Sequence, residues 1–152
     1  MDWLKNGLVS STARFKIIMN SVPITDVSDV YGPIAQEDRW QGYPADRTEI
    51  LQHIEDQGVA GVLWVSGDFH WGTLATVGRP GQSFDGQYEV LAGPAGSFIN
   101  PLAYLFQTNA HYLGILTDWN TTLFEADPAM GTIRIAFIGD NGNVLFEETV
   151  AV

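Results

Sequence analysis

The chain contains no cysteine and only seven lysines and arginines, and no apolar run reaches the ~20 residues of a membrane-spanning helix. Without cysteine there are no disulfides, zinc–thiolate centres or thiol nucleophiles, so any metal must be held by oxygen and imidazole. Seven basic residues against 18 acidic ones leave a formal charge of −11, and the basic residues are scattered rather than gathered in a stripe. Such a surface repels phosphate backbones, so neither nucleic acid nor a membrane is an expected partner. No Gly-x-Ser-x-Gly elbow, Walker loop or Gly-x-Gly-x-x-Gly fingerprint occurs, and serine-hydrolase and nucleotide-fold readings therefore lack support. The opening Met1-Asp2-Trp3-Leu4-Lys5 has neither the basic nor the apolar region of a signal peptide. A cytosolic form, or a piece of a larger protein, is the expectation, and the compartment is not otherwise legible.

What is present is a core and a pair of polar residues at the end of it. The 152 residues are 45% hydrophobic and 12% aromatic, enough for one domain over 1–152, with no repeat or composition break to divide it. The apolar run 59–65 reads as a buried strand and is followed at once by Ser66-Gly67-Asp68-Phe69-His70. Asp68 and His70 are two apart, so in extended backbone both face the same side. A carboxylate and an imidazole aimed at one point can hold a cation that lowers the pKa of bound water towards ~7 or polarises a phosphoryl oxygen. The structural alternative is that Asp68 caps a turn and His70 is simply buried.

Upstream, 2–9 carries Trp3, Leu4, Leu8 and Val9 at helical spacing, and 15–19 is a compact β-prone run that opens into a long loop reaching Pro44. Residues 45–57 place Ile50, Leu51 and Ile54 on one helical face with Gly58 as a stop. Strand, loop, helix, strand is the signature of a βαβ crossover in a mostly parallel sheet, which makes the first two strands neighbours. Beyond His70 strands are expected at 88–92, 112–116, 121–125, 132–138 and 144–150. The last two flank Asp140-Asn141-Gly142-Asn143, a strong hairpin signal. Residues 93–104 read as loop with room for one helical turn.

Other residues invite a chemical reading beside a structural one. Asn20 ends the first strand, where its amide oxygen suits a hard cation, although asparagine also favours turns for backbone reasons. The loop Glu37-Asp38-Arg39-Trp40-Gln41-Gly42-Tyr43-Pro44 is dense in acidic, aromatic and glycine residues, and Asp38 is a further ligand candidate. Within it Trp40 and Tyr43 read as core anchors and Gly42 as required, while Asp46 reads as a helix N-cap. His53 reads as a packing or surface histidine, and His111 has no acidic companion nearby in sequence.

Taken together, Trp3-Leu4-Lys5, Ser11-x-Ala13-x-Phe15-Lys16, Val22-Pro23, Asp38-Arg39-Trp40-x-Gly42-Tyr43-Pro44-Ala45-x-Arg47 and Ser66-Gly67-Asp68-x-His70 resemble a known pattern. In order and spacing they look like the C-terminal half of PhoD-like alkaline phosphatases and phosphodiesterases, in the calcineurin-like metallophosphatase superfamily. The resemblance implies an α/β fold, a partial αββα sandwich with mixed sheets and a C-terminal β-hairpin. It also implies phosphomonoester or phosphodiester hydrolysis, with strand-end loops holding divalent or trivalent metals such as Ca, Fe, Mn or Zn. Where the superfamily has Gly-His-x-His, Asp68 replaces the first histidine and His70 keeps the second. Asn20 falls where a preceding ligand histidine usually sits, and Asp38 is a plausible extra ligand.

The family's N-terminal Asp-x-His or Asp-x-Cys ligand, its bridging aspartate and its Asn-His-Asp/Glu block have no counterpart upstream of Ser66-Gly67-Asp68-x-His70. A dinuclear site needs more donors than Asn20, Asp38, Asp68 and His70 provide. Two readings follow: the metal-bearing C-terminal portion of a phosphoester hydrolase, or a catalytically inactive truncated homologue acting as a binding or self-assembling module. A sheet without half its strands also exposes edges, so a homo-oligomer or a separate N-terminal half is the expected protein partner.

Overall fold

The structure, a computed structural model, describes residues 1–26, 32, 36–106 and 111–152. Helix α1 (Asp2–Ser10) turns Leu8 inward, and its Lys5 reaches Glu49 at 2.5 Å and Asp2 at 3.3 Å. Strand β1 (Lys16–Met19) follows. The long loop expected after it contains short 3-10 turns at Gln36–Asp38 and Trp40–Gly42, while 27–31 and 33–35 lie outside the described residues. Helix α2 (Pro44–Asp56) begins with proline, whose missing N–H costs nothing in a first turn, and ends before Gly58 at φ +58°. Asp46 is not its N-cap. Tyr43 occupies that position, and Asp46 lies in the first turn, where a carboxylate complements the helix dipole.

Strand β2 (Val62–Ser66) returns parallel to β1, with Ile17 opposite Leu63 and Met19 opposite Val65, completing the expected crossover. The five-stranded sheet runs β1-β2-β4-β3-β5, with β3 (Gly72–Thr76), β4 (Tyr88–Leu91) and β5 (Tyr112–Leu116). The β1–β2 and β2–β4 pairs are parallel and the other two antiparallel, so the sheet is mixed rather than mostly parallel. Strand β3 has no counterpart among the strands read from sequence. Gly-Thr-Leu-Ala-Thr carries one large aliphatic, Leu74, yet the strand is almost wholly buried because it sits between β4 and β5.

A second, antiparallel sheet contains β6 (Asn120–Asp127), β7 (Thr132–Gly139) and β8 (Val144–Ala151). Its β7–β8 hairpin closes as expected: Gly142 adopts φ +81°, its N–H donates to Gly139 at 2.9 Å, and Gly139 N–H donates to Asn143 O at 2.9 Å. Arg134 lies between Glu125 on β6 and Glu147 on β8, and these two partners raise its pKa, Glu147 most.

Alternation along β2 builds the layers. Val62 and Trp64 pack with Leu8, Ile50, Leu51 and Ile54 beneath the helices. Leu63 and Val65 pack with Ile133, Ile135 and Phe137 of the second sheet. Each such side chain contributes roughly 1.5–3 kcal/mol when fully buried. The described residues thus form three of the four layers of an αββα sandwich. A smaller cluster, Phe69, Trp71, Leu91 and Ala103, sits under the 3-10 turn Pro101–Phe106.

Candidate metal edge of the sheet

Parallel pairing brings the carboxyl ends of β1 and β2 side by side. The Asn20 N–H donates to Val65 O at 2.8 Å, carrying the ladder one residue beyond β1. The Asn20 side chain is half-buried; its Nδ2 donates to Val22 O at 2.8 Å, which leaves the amide oxygen as the group to offer a cation. Asn20 shares a hollow of about 460 Å³ with Val22, Asp38, Trp40, Tyr43 and Asp46. Asp38 is exposed there. Trp40 packs partly against the core as expected, but Tyr43 is 52% exposed and is not a core anchor, because as the residue before α2 it lines the hollow instead. Gly42 is required: a Cβ would lie 2.5 Å from Gln36 O and 2.8 Å from Glu37 Cα.

On the neighbouring strand the chain leaves the sheet after Ser66, whose carbonyl accepts from Ala92 N–H at 2.8 Å. Asp68 and His70 are not in extended backbone. They adopt φ +76° and φ +59°, and with Phe84 they are the three non-glycine residues at positive φ among those described. Left-handed backbone is unfavourable for such residues, and it concentrates at functional sites. Here it is held by burial of the intervening Phe69 and by Asn100, whose Nδ2 donates to Phe69 O at 3.1 Å and whose N–H donates to His70 O at 3.0 Å. The turn leaves Asp68 exposed and His70 half-buried.

His70 is oriented from one side. Its ring lies 4.3 Å from that of Phe98, and its Nδ1 is 3.0 Å from Phe98 O and 3.2 Å from Ser97 Oγ. A carbonyl only accepts, so Nδ1 carries a proton, and in the neutral ring this leaves the lone pair on Nε2, the arrangement that fixes the tautomer of metal-ligating histidines.

The four sequence candidates therefore fall in two groups at one edge of the sheet: Asn20 with Asp38 in the hollow, and Asp68 with His70 in the turn after β2. Among the described residues no three histidines, aspartates or glutamates converge tightly enough to hold a metal ion. The donor set, hard oxygens and one oriented imidazole, fits part of a metal shell and does not complete one. His53 and His111 lie elsewhere. His53 is half-buried on α2, and His111 is buried with Nδ1 3.1 Å from Thr76 O, tying β5 to β3.

Sequence reasoning did not single out Glu89 on β4. It is 1% exposed, opposite Trp64 in the sheet, and accepts from Ile24 N–H at 2.9 Å, Thr25 N–H at 2.8 Å and Ser66 Oγ at 2.8 Å. Arg47 on α2 donates from Nε to Ile24 O at 2.6 Å. Burial lowers the Arg47 pKa, against the opposing fields of Asp26 and Glu89. A lone carboxylate in the apolar strand Tyr88–Leu91 was the signal that marked Glu89.

A helix-covered mixed sheet stacked on an antiparallel one, with polar loops at the ends of adjacent parallel strands, defines the class: a two-sheet α/β sandwich. Comparison with known proteins gives the family. The profile of the PhoD-like phosphatases matches residues 1–135, and the chain belongs to that family of phosphoester hydrolases. It is similar to alkaline phosphatase D of Bacillus subtilis (strain 168), 31% identical over 71 residues that make up 45% of this chain and 12% of that protein. A solved structure of PhoD superposes over 99% of this chain and 31% of its own, with a TM-score of 0.71 at 17% identity, a likeness of fold. The chain thus spans less than a third of either relative. No helix among the described residues is long and apolar enough to cross a membrane.

Proposed function

We propose that this chain supplies one metal-binding edge of a PhoD-like phosphomonoesterase or phosphodiesterase, with Asp68 and His70 as ligands and Asn20 and Asp38 contributing from the adjacent hollow. The observation that carries the reading is the commitment of His70 Nδ1 to the Phe98 carbonyl, which leaves Nε2 as the ring nitrogen to offer a cation, two residues after a left-handed Asp68. A bound divalent or trivalent ion, Ca, Fe, Mn or Zn, would polarise phosphoryl oxygens and make hydroxide available at neutral pH. The chain's own part is to hold an imidazole and hard oxygens at fixed orientation, with no side chain here acting as nucleophile. Hydrolysis of p-nitrophenyl phosphate and bis-p-nitrophenyl phosphate with each metal tests this. Metal-dependent turnover lost in Asp68→Ala and His70→Ala supports the reading; a protein inert with every metal sinks it.

A second reading, an inactive homologue that binds or assembles, is favoured by the lack of a three-residue acidic or histidine cluster among the described residues. Both readings call for a protein partner. Ile17 and Met19 lie on the face shared by Leu63 and Val65, yet they are 47% and 77% exposed, and β1 is an edge strand. Phe124, opposite Ile135 on β6, is 38% exposed at an edge of the second sheet. The occupant we assign to this flank is the part of the family fold that these residues do not contain, since the solved relative extends well beyond the superposed region. Light scattering after size exclusion is expected to show association. A clean monomer counts against it, and a symmetric dimer points to a second copy instead.

A further inference from the structure

We infer that Glu89 is a positioning residue that sets the two ligand-bearing loops against each other. The inference rests on the metal-edge reading for its use, but its structural claim stands on separate observations.

Both carboxylate oxygens are engaged, and between them they reach two segments. Oε1 receives Ile24 N–H and Ser66 Oγ, and Oε2 receives Thr25 N–H. Ile24 and Thr25 lie just past Asn20 and the Val22-Pro23 turn. Ser66 is the last residue before Gly67 and the left-handed Asp68. One side chain therefore bridges the loop carrying Asn20 to the strand end that launches Asp68 and His70. It does so from β4, an interior strand hydrogen-bonded on both sides and unable to follow either loop.

The sheet itself does not need a carboxylate there. Burying one carries a desolvation cost that an apolar residue of similar size avoids, so such a group persists where its hydrogen bonds do something specific. Three donors and the nearby Arg47 offset that cost, and two of the donors are consecutive backbone N–H groups of the loop that follows β1. Arg47 reinforces the same segment by holding Ile24 O from α2. The clamp thus converts two independent strand-end loops into one unit whose spacing is set by a single side chain.

Amide hydrogen exchange followed by NMR on the full chain tests this without any metal. In Glu89→Gln, amide protection over 20–25 and 66–70 is expected to fall together, roughly tenfold, as for loss of a charge-assisted hydrogen bond. Amides in β6, β7 and β8 should be unchanged. In Ser66→Ala only the 66–70 side is expected to loosen, and this variant carries the test if Glu89→Gln does not fold. Loosening of one loop alone in Glu89→Gln, a uniform loss over the whole chain, or no change in either variant overturns the inference. A parallel Mn²⁺ titration, read as paramagnetic broadening at Asn20 and His70, separates the two claims. No broadening in the wild type overturns the metal-edge reading and leaves the exchange result to decide the clamp. Broadening that weakens in Glu89→Gln, with the coupled loss of protection, supports both.

Discussion

His70 and Phe98 stand 28 residues apart and meet twice, through a 3.0 Å contact between Nδ1 and the Phe98 carbonyl and through rings 4.3 Å apart. The first contact chooses the tautomer and the second restrains the ring plane, so Nε2 is the nitrogen left to bind. His70→Gln preserves a polar side chain but not this geometry. We expect it to weaken Mn²⁺ binding at least tenfold by calorimetry, as loss of an oriented ligand does, with little change in the urea midpoint. A midpoint that collapses with binding intact would reassign His70 to the core.

Asp68 is strained in the folded chain, and strain is separable from ligation. Asp68→Ala leaves a Cβ at φ +76°, where alanine is less tolerated than aspartate, and is expected to cost about 1 kcal/mol in urea melts. Asp68→Gly removes the clash and should be neutral or stabilising. Both variants should lose metal-dependent turnover. Equal stabilities for the two would show that the left-handed turn exerts no strain.

Leu74 is fully buried in β3 between the packed sheets. Leu74→Ala is expected to destabilise the chain by about 2–5 kcal/mol, the range for removing a core leucine. Chemical denaturation measures it, and a loss well under 1 kcal/mol would mean that β3 is not a core strand.

Gly42 passes against the backbone of Gln36 and Glu37, so Gly42→Ala must displace main chain rather than a flexible side chain. We expect a cost of roughly 1–3 kcal/mol and a changed Trp40 fluorescence, since the same loop seats that ring. Unchanged stability and emission would show that the loop yields freely.

Lys5 gains Glu49 and Asp2 on folding, and its pKa is raised from 10.5, by Glu49 first. A base whose folded pKa lies above its unfolded one contributes stability that is fully present below the unfolded value and is lost as pH rises through the folded value. The urea midpoint of the wild type should therefore exceed that of Lys5→Met at pH 8, and the difference should shrink as pH rises beyond 10.5 and through the raised folded value. A difference that persists or grows there contradicts the pairing.

Much of the framework was legible because its determinants are local. The spacing of Ile50, Leu51 and Ile54 with Gly58 after them specifies α2, and Asn141-Gly142 between alternating strands specifies the hairpin. The parallel β1–β2 pair follows from connectivity, because a helix between two apolar strands permits little else. Ligand candidates were legible for a similar reason: polar residues directly after a buried strand stand at its open end. Other features depend on partners distant in sequence. Strand β3 has too few large residues to announce itself and is a strand because β4 and β5 flank it. The left-handed turn at 68–70 replaces the extended run expected there because Phe69 is drawn into a pocket with Trp71, Leu91 and Ala103.

The sequence by itself determined the family, the alternation of layers and the residue types available to a cation, since motif order and periodicity are written along the chain. Tertiary structure alone decided how those residues are presented. It set the tautomer of His70 through Phe98, the separation of Asn20 and Asp38 from Asp68 and His70 into neighbouring groups, and the bridging of the two loops by Glu89. The reason is physical: hydrogen-bond direction and burial are properties of juxtaposed segments, and the segments that meet at this edge are brought together only when the sheet closes.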